Sequence, residues 1–147
     1  MSDAPNLAWI KSVMEQRIPF NRLLGIELVH IAPRVARLRV PFRDDLIGDP
    51  FRPALHGGLI ATLLDTCGGA AVFTMLDDPK DRTSTVDLRV DYLRPGRPSA
   101  LVAEAHVIRA GNRVAVIDAV AFHEGERDQP VATGKGVYNL RRFRDES

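Results

Sequence analysis

The sequence predicts an α+β fold in which one antiparallel sheet is covered by a single apolar helix. Three observations carry that expectation. Residues 56–76, HGGLIATLLDTCGGAAVFTML, are a long apolar run in which Asp65 is the one charged side chain between Leu59 and Leu76. Two extended, alternating segments precede it, and four more follow it, joined by short turns. Strands and helix are thus segregated, which argues against a parallel arrangement of alternating strands and helices. An antiparallel sheet needs an apolar cover on its inner face, and residues 57–76 are the one helical stretch apolar enough to supply it.

The elements follow in order. Residues 5–17, PNLAWIKSVMEQR, predict a short helix: Pro5 suits a first turn, and Leu7, Ile10 and Met14 share a face. GIELVHI (25–31) and VARLRVPF (35–42) predict strands with a turn at Pro33-Arg34. In the second, Ala36, Leu38 and Val40 alternate with Arg37 and Arg39, the pattern of a strand wet on one side. RDDLIGDPFRPAL (43–55) is rich in Pro, Gly and Asp and predicts a loop. After the apolar helix, STVDLRVDYL points Val86, Leu88, Val90 and Tyr92 one way, and Thr85, Asp87, Arg89 and Asp91 the other. RPGRP (94–98) predicts a turn, and strands follow at 101–110, 113–124 and 130–140. Four consecutive strands with short turns predict a meander, and the charged tail RRFRDES predicts a frayed end. The whole, 1–147, predicts one domain with its core over about 20–141.

Composition narrows the function classes. Twenty basic against nineteen acidic residues leave a net charge of +1, which gives no electrostatic case for nucleic acid or an anionic membrane. Cys67 is the single cysteine, so neither an intrachain disulfide nor a cysteine-based zinc site is expected. The four histidines show no metal-ligand spacing, and no metal or cofactor is expected. The start, MSDAPNLAWIKSV, lacks a basic region followed by an apolar one, so a cytoplasmic protein is expected. Leu59–Leu76 has about the length of a bilayer span, but Asp65, Gly68-Gly69 and the lack of flanking basic clusters argue for a soluble chain without a membrane partner.

On a helical wheel, the positions three, four and seven from Asp65 are Gly58, Ala61, Thr62, Gly68, Gly69 and Val72, almost all small. Leu59, Ile60, Leu63, Ala70 and Ala71 lie towards the other side, where a sheet would receive them. An unpaired carboxylate in a dry core is very costly, so Asp65 is expected to be bonded to a backbone group or an arginine, or to border a wet cleft between two packed units. His56-Gly57-Gly58 marks the helix start, where free N–H groups and partial positive charge suit an oxyanion or a polarised carbonyl. Gly58 and Asp65 are seven residues apart, about 10.5 Å along one face. That is too far for both to touch one atom within one chain. It suits a donor from one subunit and an acid from another.

HGGLIATLLD (56–65) resembles the H-G-G-x-x-x-x-x-x-D motif of hotdog-fold acyl-CoA thioesterases, in the branch that includes the phenylacetate-pathway enzymes. VDYLRP (90–95), the AGNR turn (110–113) and GKGVYNL (134–140) add to the resemblance, which covers about residues 20–141. It implies a six-stranded antiparallel sheet wrapped around a long central helix, self-association as a dimer or tetramer, and an acyl-CoA substrate. It implies that the backbone N–H of Gly57 polarises the thioester carbonyl and that Asp65 of the partner chain acts as general base or nucleophile, with help from Thr85. The strand alternation places Thr85 away from the helix, so a bulge or twist is required to turn it inward. His56 either acts through its ring or holds the loop, and the structural role is favoured. Gly58 would line the substrate, and Arg94, Arg109 and Arg113, near turns, would either meet the CoA phosphates or stand as ordinary solvated arginines. Many relatives carry Asn shortly before HGG; here IGDPFRPAL has none.

Two other readings stand beside hydrolysis. One is an acyl-CoA-binding hotdog module that does not cleave its ligand; release of free CoA separates the two. The other is a hotdog dehydratase or hydratase, which pairs a His base with an acid in a different motif, and no such pair is evident. The sequence leaves the acyl group open, with Phe20, Leu46, Phe51, Phe73 and Met75 as candidates for setting pocket length.

Overall fold

A computed structural model describes residues 7–143. Pro5 of the expected first helix and residues 144–147 of the tail lie outside them. The described part of the expected first helix is helical throughout: α1 spans Leu7–Ser12 and widens into one π-helical turn over Val13–Arg17. Pro19 then starts a second helix that the sequence reading missed, α2 at Pro19–Leu24, closed by Gly25 in the left-handed region at φ 72°. Ile10, Met14 and Leu24 are buried, and Asn21 Nδ2 ties the two helices by donating to Met14 O at 3.0 Å. Glu15 holds this unit to the sheet, accepting from the Leu28 N–H at 2.7 Å.

β1 (Glu27–Ala32) and β2 (Val35–Val40) form the first hairpin. The segment expected as plain loop contains a 3₁₀ turn (Asp44–Leu46) and a small hairpin of β3 (Ile47–Asp49) and β4 (Ala54–Leu55). The central helix, α3, spans Gly57–Phe73. β5 (Arg82–Tyr92), β6 (Leu101–Ala110), β7 (Val114–His123) and β8 (Ala132–Arg141) complete one six-stranded antiparallel sheet in the order β1-β2-β6-β7-β8-β5. Only three of the four late strands form the expected meander. β5 pairs with β8, not β6. The intervening LRPGRPSA (93–100) carries two prolines and cannot make a tight hairpin, so it carries the chain to the other side of the sheet.

The sheet receives α3 because its inner face is lined by small side chains. Ala36, Ala103, Ala105, Ala115, Ala121 and Ala132 are all fully buried. Leu63, Leu64 and Val72 fill the space they leave, each contributing roughly 1.5–3 kcal/mol of burial. Cys67 Sγ lies 3.3 Å from Ala36 O and 3.4 Å from Ala103 O, and burial pushes its thiol well above its ordinary range, so it stays a protonated core group. Gly68 and Val72, placed by the wheel on the acid's side, are buried against the sheet, while Asp65, Thr66, Gly69 and Phe73 remain partly accessible. No helix among the described residues is long and apolar enough to cross a membrane.

Candidate active site

The site grows from the first turn of α3. His56 is the N-cap, extended at φ −60° and ψ 131°, and its Nδ1 accepts the Gly58 N–H at 2.8 Å. In that geometry Nδ1 carries no proton and the imidazole acts as a cap, the work usually done by Ser or Asp. The backbone around it is tied: His56 N–H donates to Leu46 O and Leu55 N–H to Gly96 O, both at 2.9 Å. A Cβ on Gly48 would lie 2.6 Å from His56 Cα, so only glycine lets the β3 strand come this close. Gly58 has a similar cause: a Cβ there would meet His56 Nδ1 at 2.8 Å. Its N–H is therefore engaged. The Gly57 N–H, by contrast, has no acceptor among the described residues. The Gly57 carbonyl accepts the Tyr92 hydroxyl at 2.7 Å.

Two turns along the helix, half-buried Asp65 gathers its own partners. Thr85 Oγ1 donates to Asp65 Oδ1 at 2.7 Å. The alternation that set Thr85 outward is broken by a bulge: Thr85 pairs with Tyr138 but Asp87 pairs with Val137, leaving Val86 unmatched. Val86 is 63% exposed, contrary to the expectation that it shares the face of Leu88 and Val90. Because the bulge absorbs one residue, Thr85 and Leu88 both face α3. Tyr138, to which the sequence reading gave no role beyond the last strand and its GKGVYNL motif, donates to Asp65 O at 2.7 Å and lies 3.2 Å from Asp65 Oδ1. Burial, and then the Asp65 carboxylate, pushes this phenol above its ordinary range, so it remains a donor. Asp65 Oδ1 is thus doubly held, while Oδ2 takes no hydrogen bond from any described residue.

Asp65, Thr66 and Gly69 form one wall of a cavity of about 510 Å³, with Phe73 further along the same helix. Met14, Ile18 and Phe20 from the N-terminal helices face them. Of the residues expected to set pocket length, Phe20 and Phe73 line this cavity. Leu46 is buried in the core, Met75 packs against that core, and Phe51 stands 92% exposed at the tip of the β3–β4 hairpin.

The arginines divide. Arg94 lies just beyond Tyr92 at the Gly57 end of the sheet and its Nη1 is 3.3 Å from Gln129 Oε1. Arg109 and Arg113 flank the β6–β7 turn, at the opposite end, where α3 finishes. Within one protomer, Gly57 and Asp65 stay apart along the helix by about 12 Å. Among the described residues no His, Cys, Asp and Glu cluster is placed to hold a metal ion.

In sequence and fold the chain is similar to known proteins. A family model described as the thioesterase superfamily matches residues 53–129. The chain is 38% identical over 122 residues to the medium/long-chain acyl-CoA thioesterase YigI of Escherichia coli K12, covering 75% of this chain and 78% of that protein. A solved structure related to the thioesterase superfamily, from Shewanella oneidensis, superposes with a TM-score of 0.78 at 33% identity, covering 90% of this chain and 94% of the other. A thioesterase family protein from Silicibacter pomeroyi gives a TM-score of 0.80 at 26% identity, covering 92% and 98%.

Proposed function

The chain belongs to the thioesterase superfamily as a hotdog-fold acyl-CoA thioesterase, and from that premise we propose how its residues divide the hydrolysis of an acyl-CoA thioester. Water and the thioester give a carboxylic acid and the free thiol of CoA. The observation that carries the assignment is Asp65 at the cavity wall, with one oxygen anchored by Thr85 and Tyr138 and the other unengaged. A carboxylate so held has one direction in which to take a proton from water, and such general base catalysis contributes roughly 10²–10⁴-fold. Asp65 Oδ2 attacking the carbonyl directly is the variant with the same groups.

The carbonyl is polarised by the free N–H of Gly57 at the positive end of α3. Because Gly57 and Asp65 of one chain are two turns apart, the donor comes from a second copy. β5 lies at the sheet edge, with one side of its backbone unpaired. Antiparallel pairing of two β5 edges about their middle brings the Tyr92 end of one strand, with its Gly57, beside the Arg82 end of the other, near Asp65 and Thr85. The acyl chain runs from Asp65 past Gly69 to Phe73, about 12 Å of helix face, the length of a medium-chain acyl group.

Asp65→Asn tests the assignment. The isosteric amide keeps a carbonyl oxygen for Thr85 and Tyr138 but cannot take a proton. Fold and self-association should persist, and release of CoA from an acyl-CoA panel, followed with a thiol reagent, should fall at least about 100-fold. Near-normal turnover removes Asp65 from the chemistry.

A further inference from the structure

The Gly57–Gly58 peptide is held at both ends. Its carbonyl accepts the Tyr92 hydroxyl at 2.7 Å, and its N–H, which belongs to Gly58, donates to His56 Nδ1 at 2.8 Å. A peptide unit is planar, so tying both polar atoms fixes its orientation. The plane just before it ends in the Gly57 N–H and begins with His56 O, which takes Leu59 N–H at 3.0 Å and Ile60 N–H at 3.3 Å. Between the two planes stands only a glycine Cα, the residue least able to hold its own φ and ψ. The direction of the Gly57 N–H is therefore set by the ties on either side of it. Tyr92 adds a steric limit, since its ring lies 3.4–3.5 Å from where a Gly57 side chain would begin.

We infer that Tyr92 is a positioning residue that, with His56, clamps the Gly57–Gly58 peptide and so aims the Gly57 N–H at the substrate carbonyl. The inference rests on the proposed role of that N–H as the carbonyl donor. Tyr92 is 53% exposed, and its hydroxyl exchanges one hydrogen bond for another with water, so the contact adds little to stability. Its consequence falls on the reaction, where small errors in the placement of a donor cost about 10- to 100-fold.

The test uses Tyr92→Phe in the full chain, which keeps the ring and removes the hydroxyl. The expected result is a fall in kcat of about 10-fold or more, with KM for a short acyl-CoA changed by less than about twofold and melting temperature unchanged. A wild-type kcat overturns the inference. A second measurement separates it from the reading beneath it. In Asp65→Asn, which slows turnover, the infrared carbonyl stretch of bound acyl-CoA should lie below its solution value. Adding Tyr92→Phe should return it towards solution. An unchanged stretch in the double variant overturns the clamp alone. No lowering in Asp65→Asn itself removes the carbonyl-donor role, and the clamp with it.

Discussion

Replacing Gly68 by Ala would put a methyl group where the Tyr138 hydroxyl already sits. The added Cβ would lie 2.3 Å from Tyr138 Oη and 2.9 Å from both Tyr138 Cζ and Ile117 Cδ1. Tyr138 is 1% exposed, and its ring is seated against Gly136, where a Cβ would be 2.8 Å from its Cε1. Relieving the clash requires the ring to move by roughly an ångström, the scale of overpacking that costs about 1–3 kcal/mol. That shift also breaks the 2.7 Å bond to Asp65 O, for about 1 kcal/mol more. Against this stands the gain of about 1 kcal/mol from replacing a helical glycine. The expected net loss is about 1–3 kcal/mol, a fall in melting temperature of about 3–9 °C for a chain of this size. Urea unfolding followed by circular dichroism, at one fixed protein concentration because subunit association would add to stability, measures it. In a Tyr138→Phe background the same substitution should cost less, since the nearest atom is gone. Gly68→Ala as stable as the parent, or more stable, would refute the packing argument, because helix propensity would then be the only effect left.

Two further outcomes follow from groups already described or adjoining them. On the outer face of the sheet, burial raises the Glu104 carboxyl, but hydrogen bonds from Arg127, His106 and Arg37 outweigh it and hold it down to about 2. The unfolded chain binds this proton near the ordinary 4.5, so the stabilisation is complete above that value and is lost as pH falls towards 2. Glu104→Gln should remove a step of up to about 3 kcal/mol from that acid window, seen in urea midpoints between pH 5 and pH 2; an unaltered acid profile would show that the cluster is not coupled to folding. Gly69→Leu should shorten the cavity without a backbone clash, because the nearest atom to a Cβ there is Tyr138 Cε2 at 3.8 Å. The kcat/KM for long acyl-CoAs should fall at least about 10-fold relative to short ones; an equal change across the chain-length series would place the acyl group elsewhere.

The central helix and its acid were legible because both depend on local pattern: an apolar run, a capping position and one misplaced charge. Thr85 was legible only as a conflict. Alternation assumes one residue per step, and the unmatched Val86 breaks that assumption in a way that no local composition announces. The role of Tyr138 has no local signature in its own strand. Its role comes from a partner 73 residues away and from the space left by Gly68, and the one trace of it was a costly glycine pair in a helix. The Pro- and Gly-rich stretch at 43–55 hid a hairpin because its strands are two and three residues long. Strand order failed for a similar reason: period two says which face a residue takes, not which neighbour its strand chooses.

The unmatched residue at position 86 makes the strand out of phase with itself. Upstream of it, odd positions look at the helix; downstream, even ones do. The hydroxyl that anchors the acid and the Val90 side chain that packs on the core are thus governed by separate rhythms. Selection on one half of the strand need not disturb the other, provided the count of residues between them is kept. At this point of the molecule, spelling is freer than spacing.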